Sequence, residues 1–138
     1  NVTLKKDRDY TVSYSANKGI GTAKVTVTGK GSYTGKITKT FKINPQGQSI
    51  SAKGDKSGKK IAVTLAKHSS NSGYQVSYAD NSGFKNSKSL WLSGNSKNKG
   101  TIKGLKSKKT YYVKARDYKS IGKTKVYGKW SAVKKVSI

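Results

Sequence analysis

The chain has 138 residues, with 30 Lys and Arg against 5 Asp and Glu, no Cys, no Met and a formal charge of +25. These counts exclude a disulfide scaffold, a thiolate metal site and a cysteine nucleophile, and a lone histidine, His68, cannot build a His-rich zinc site. No apolar run approaches the roughly 18 residues of a membrane helix, so no transmembrane segment is expected.

The chain does not begin with Met and is read as a fragment or mature piece of something longer. Good helix formers are scarce, while Thr, Val, Tyr, Ser and Gly are common, which favours strands and turns. Period-two alternation, the mark of a half-buried strand, starts early. After a short lead-in at Val2-Thr3-Leu4, Tyr10, Val12 and Tyr14 alternate with Thr11 and Ser13. Ala23, Val25 and Val27 alternate with Lys24 and Thr26, and Ile37, Phe41 and Ile43 share one parity against a run of Lys and Thr. Turn residues separate these runs at Asn17-Lys18-Gly19, Gly29-Lys30-Gly31 and Gly35. The uncharged Asn44-Pro45-Gln46-Gly47-Gln48, with the only proline, reads as a linker over 44–48.

Beyond it the pattern predicts seven short strands: a weak one at Ile50-Ala52, then Ile61–Leu65, Tyr74–Tyr78, Leu90–Leu92 with Trp91 opposed, a short one bracketed by Ile102 and Leu105, Tyr111–Ala115, and Trp130–Ile138. Tyr112, Lys114 and Arg116 fall on the outward parity. Seven strands with turns every 8–12 residues predict a β-sandwich.

The run Leu105-Lys-Ser-Lys-Lys-Thr110-Tyr111-Tyr112-Val113-Lys114-Ala115 resembles the tyrosine corner of fibronectin type III domains, usually Leu-x-Pro-Gly-Thr-x-Tyr-x-Val-x-Val. Here Ser107-Lys108 replaces Pro-Gly, and Leu65 stands near the place of the usual second-strand tryptophan. The resemblance covers 49–138 and assigns Leu105 and Tyr111 structural roles. Residues 1–43, through Asp9-Tyr-Thr-Val-Ser-Tyr14, Asn17–Ala23 and Thr28–Gly35, resemble the C-terminal half of bacterial immunoglobulin-like repeats. Such repeats occur in surface and secreted proteins of Gram-positive anaerobes. Together the resemblances imply an all-β chain of tandem antiparallel β-sandwich modules, the first incomplete, the second seven-stranded and fibronectin type III-like. They also imply an extracellular location. For the missing half of 1–43, two explanations stand: a boundary placed inside a domain, or strands supplied by a neighbouring chain.

No catalytic residue, cofactor site or metal site is predicted. The five Asp, at 7, 9, 55, 80 and 117, pair by spacing only as Asp7 and Asp9, beside Lys5, Lys6 and Arg8, where local neutralisation is expected. His68 sits among Ser, Asn and Gly and reads as a solvated loop histidine. The charge carries more information. Residues 1–47 hold a net +7 and residues 48–138 a net +18, almost all of it lysine, a mobile point charge suited to diffuse polyanions. The first functional expectation is therefore a non-enzymatic spacer or adhesion module whose lysines engage an anionic cell-wall polymer or glycan, such as teichoic acid. A second is a carbohydrate- or host-protein-binding module using a face of Trp91, Tyr112, Lys114 and Arg116, with Trp130 packed against the sandwich edge. A third is a structural subunit of a polymer, completed by strand donation. Nonspecific nucleic-acid binding is expected in vitro only.

Overall fold

A computed structural model describes residues 2–138; Asn1, the first residue of the predicted 1–43 module, lies outside the described residues. The chain is all-β, with no helix among the described residues, and divides into two compact units between Asn44 and Pro45.

The first unit is one antiparallel sheet in the order β1 (Tyr10–Ser15), β2 (Gly21–Gly29), β3 (Lys36–Ile43). Its register stacks Val12, Val27 and Ile37 in one row and Tyr14, Val25 and Lys39 in the next, with Ala23 opposite Phe41. Because side chains alternate across a strand, this makes one apolar face and one of Thr, Ser and Lys. The apolar face is largely uncovered: Tyr14 is 59% exposed, Ile37 63% and Phe41 41%. Alternation thus assigns these residues to a face but buries few of them; Ala23 and Asp9 are the buried residues among those described in this unit. The lead-in forms no strand. Val2 and Leu4 lie exposed outside any strand, and that segment instead meets the sheet through an isolated bridge between Lys6 and Tyr10. Asp9 ties this entry together: both its oxygens accept from the Arg8 guanidinium at 2.8 Å, and Oδ2 also accepts from the Lys5 N–H. Arg8, and then that backbone donor, hold the Asp9 carboxyl below its ordinary range.

The second unit is a sandwich of two antiparallel sheets. One runs β4 (Ile50–Asp55), β5 (Lys60–Leu65), β8 (Lys99–Ile102). The other runs β10 (Thr124–Tyr127), β9 (Thr110–Ile121), β6 (Gly73–Ala79), β7 (Lys88–Ser93), with β11 (Lys134–Ser137) also paired to β9. Strict alternation in β5 buries Ile61, Val63 and Leu65. From the facing sheet come Tyr74, Val76, Val113 and Ala115, and the core closes with Ile102, Leu105, Tyr111, Val136 and Ile138. Tyr74 is fully buried, and its hydroxyl donates to the Asn95 carbonyl at 2.7 Å and accepts the His68 N–H. Tyr111 likewise buries its ring and accepts the Lys106 N–H at 2.9 Å. The turn before it places Lys108 at φ 57°, left-handed backbone that glycine would occupy more easily.

The end of the chain departs from the prediction. Instead of one strand from Trp130, β9 extends to Ile121, turns back as β10, and meets β11 only from Lys134. Between β10 and β11 the ladder is bridged rather than continued. Gly128 N–H donates to the Asp117 carbonyl, Ser131 N–H donates to the Ala115 carbonyl, and Ala115 N–H donates to the Ser131 hydroxyl. The serine side chain stands in for a missing backbone acceptor, which frees Trp130 from the strand.

Candidate functional site

The outer face of the larger sheet gathers aromatic rings and cations. Register places Trp91, Gln75 and Arg116 side by side on β7, β6 and β9, with Ser89, Ser77 and Lys114 in the next row. Gln75 fixes Arg116, accepting from its Nε at 2.9 Å while donating to Ser89. The Arg116 guanidinium lies 3.7 Å from the Tyr127 ring centre and 4.3 Å from that of Trp130. Lys114 Nζ lies 3.9 Å over Phe84 and 4.9 Å over Trp130. Trp130 is therefore shared by two cations, and the series Phe84, Lys114, Trp130, Arg116, Tyr127 alternates ring and charge. Each such contact stabilises by about 0.5–2 kcal/mol, more where water is excluded. Burial pushes the Arg116 guanidinium below its ordinary pKa, with Tyr127 acting in the opposite sense.

Local backbone sets up both ends of this stack. Phe84 adopts a left-handed φ of 54°, unfavourable for a bulky side chain, in a loop pinned by two hydrogen bonds between the Asn81 side chain and the Lys85 backbone. At the far end Tyr118 meets Trp91 edge-on at 5.5 Å, with Lys125 Nζ 5.7 Å from the Trp91 ring and 5.8 Å from that of Tyr118. Tyr118 lies over Gly73, where a Cβ would collide first with the Leu92 carbonyl oxygen and then come within 2.8 Å of the Tyr118 hydroxyl, so only glycine fits there.

Of the predicted face, the structure brings together Trp91, Lys114 and Arg116. Tyr112 shares their parity, opposite Ala79 and Lys135, but stands outside the stack. Trp130 lies in the segment between β10 and β11 at the margin of the larger sheet, where its ring meets Lys114 and Arg116 and Ser131 bonds the chain to β9 beside it. Phe84, Tyr118, Tyr127 and Lys125 were absent from the prediction. Continued alternation past Arg116 would have found Tyr118, whereas Phe84 lies in a loop where no periodicity points, and Trp130 lies where the pattern draws a strand that the structure interrupts. The cations of this face are largely spent on rings, which leaves Trp91, 43% exposed, as its most open aromatic surface.

A second cluster corrects the expectation for His68. Asp117 lies on the inward parity of β9 and is fully buried. Its Oδ2 is 2.7 Å from His68 Nδ1, and its Oδ1 accepts from Gln48 Nε2 at 2.6 Å. Gln48 in turn donates to the Ala66 carbonyl and accepts from the Ser49 and Ala66 N–H groups. His68 is thus a half-buried partner of a carboxylate from the facing sheet, and sequence spacing cannot reveal it because 49 residues separate the two. This network satisfies a buried charge and joins the start of the unit to β5 and β9. No group of three or more metal-ligating side chains forms among the described residues.

No family model matches the chain, and no curated protein matches it. Solved structures do. One is the crystal structure of chicken CNTN1 FN1-FN3 domains, with a TM-score of 0.58 and 19% sequence identity, over 87% of this chain and 43% of that one. The fold is fibronectin type III-like. The three-stranded sheet facing the larger one, and the buried tyrosine whose hydroxyl caps the turn before β9, are the features of unit two that fit it. The chain spans less than half the length of that neighbour, and the likeness concerns fold alone.

Proposed function

We propose that the chain is a non-enzymatic extracellular spacer and adhesion module of a bacterial surface or secreted protein, whose lysines engage anionic polymers such as cell-wall teichoic acid. The fibronectin type III-like fold, common in extracellular proteins, supports the spacer role. The polymer reading is carried by the charge ledger of the folded chain. Every one of the five Asp already has a cationic or histidine partner: Lys6, Arg8, Lys60, Lys109 and His68 for Asp7, Asp9, Asp55, Asp80 and Asp117. Only three lysines appear among those partners, so the great majority of the lysines have no aspartate and draw their counter-anions from outside the molecule. Lysine's flexible point charge suits a diffuse polyanion better than a fixed, bidentate target.

Binding to purified Gram-positive cell walls, with and without teichoic acid, across a salt series tests this. Binding that requires the polymer and collapses with salt is expected. Binding indifferent to both overturns it. A second reading, a subunit completed by strands from a neighbouring chain, is favoured by the uncovered apolar face of β1, β2 and β3. Concentration-dependent assembly in sedimentation would support that reading, and a strictly monomeric chain would remove it.

A further inference from the structure

The two outer faces of the sandwich use their cations in opposite ways. On the larger sheet, Lys114, Arg116 and Lys125 lie over aromatic rings. The outer face of β4, β5 and β8 has no ring at all. Register places Asp55 beside Lys60, Lys53 beside Ala62 and Thr101, and Ser51 beside Thr64 and Lys99. Small residues, Ala62, Thr64 and Thr101, thus form a low floor, and lysines stand around it. A shallow pocket of about 690 Å³ opens on this face, and the lysines lining it are Lys53, Lys56, Lys60 and Lys103. The only carboxylate of the pocket, Asp55, is turned into its own tight turn: it accepts from the Ser57 hydroxyl and the Gly58 N–H, and pairs with Lys60 at 3.4 Å.

We propose that this face is the polyanion-docking surface of the module, and that its ligand is a linear phosphodiester polymer with aliphatic, polyol-type linkers. The inference rests on the charge-based reading above and gives it an address. The choice of ligand follows from what the face offers and lacks. Five lysines, including Lys99, supply flexible ammonium groups around a floor of hydroxyls and methyls. Alternate residues along each strand are about 6.7 Å apart and neighbouring strands about 4.8 Å apart, so the charges form a two-dimensional array that a flexible chain can cross. Nucleic acid would seek stacking platforms and arginine forks, and neither is present here. A sugar ring would seek an aromatic surface, and those rings lie on the other sheet. A ring-free polyanion loses nothing by their absence.

The test compares two triple variants of the full chain, each removing three positive charges. One is Lys53→Gln, Lys60→Gln, Lys103→Gln. The control is Lys123→Gln, Lys129→Gln, Lys135→Gln, at exposed positions on or beside the larger sheet. Both are first checked for unchanged far-UV circular dichroism and melting. The probe is purified poly(glycerol phosphate), titrated at several salt concentrations. The face variant is expected to lose at least about tenfold in affinity at low salt and to flatten the slope of log K against log salt by about 2, whereas the control changes less than about threefold. Equal losses in both variants overturn the site while leaving charge-driven binding intact. No binding by the unmodified chain at low salt overturns the site and the polymer reading together. A single-stranded oligonucleotide and a phosphate-free uronate glycan of matched length form the remaining arms. Tighter binding of either one, lost in the face variant, overturns the polyol-phosphate assignment.

Discussion

The two units are written in the same alternating grammar and come out differently. In β5 alternation leads to Ile61, Val63 and Leu65 at 3% exposure or less, because a second sheet lies on that face. In β3 the same alternation leaves Ile37 and Phe41 more than two-fifths exposed. Alternation therefore specifies which face of a strand is apolar, and only a facing layer turns that preference into stability. At about 25 cal/mol per Å² of apolar surface removed from water, an uncovered face gives up most of what the sandwich gains.

The sharpest way to break this contrast is to truncate one aromatic in each unit. Tyr74→Ala is expected to cost about 3–5 kcal/mol in urea unfolding, since it empties the core and orphans the Asn95 carbonyl and the His68 N–H. Phe41→Ala is expected to cost less than about 1 kcal/mol. Equal costs would mean that the first unit has a covered core after all. Next in size, Asp117→Ala leaves the Gln48 amide and His68 without their buried partner, and a loss of about 3 kcal/mol is expected by the same measurement. A change below about 0.5 kcal/mol would show the network to be incidental.

Trp130→Ala probes a half-buried site intermediate between the two extremes. It removes the ring shared by Lys114 and Arg116, for an expected loss of about 1–2 kcal/mol, and Arg116→Gln is expected to cost less in that background than alone, keeping only the part owed to its Tyr127 and Gln75 contacts. Full additivity in that double-mutant cycle would deny the stacking. The smallest effect is acidic. Asp55, held by the Gly58 N–H and the Ser57 hydroxyl with Lys60 beside it, has its pKa lowered to about 2. A carboxyl with a depressed folded-state pKa stabilises above its ordinary value near 4, and that stability fades as pH falls through about 2. Asp55→Asn should flatten the stability curve between those limits. An unchanged acid limb would show that the turn does not depend on the charge.

The sandwich was legible because its core residues alternate within single strands: Ile61–Leu65, Tyr74–Tyr78 and Tyr111–Ala115 each declare a strand and its buried face. The tyrosine corner was legible because Leu105 and Tyr111 lie six residues apart and act within one turn. Long-range pairings were not. Asp117 finds His68 and Gln48 only after the sheets pack, and Trp130 reaches Arg116 only because Ser131 interrupts a strand that the pattern would have drawn straight through it. The lysine face around Ala62 was hidden for another reason: its members come from three strands and two turns, each carrying one or two unremarked charges.

If the chain serves as the spacer proposed above, Gln48 stands where a pull from the N-terminal side enters the sandwich. It precedes β4, yet its amide holds Asp117 on the larger sheet and the Ala66 backbone at the end of β5. Tension arriving along the chain from the first unit meets this bolt before it reaches the β4 ladder. The load is divided between both sheets at the point of entry, so β4 is shielded from being unzipped one hydrogen bond at a time.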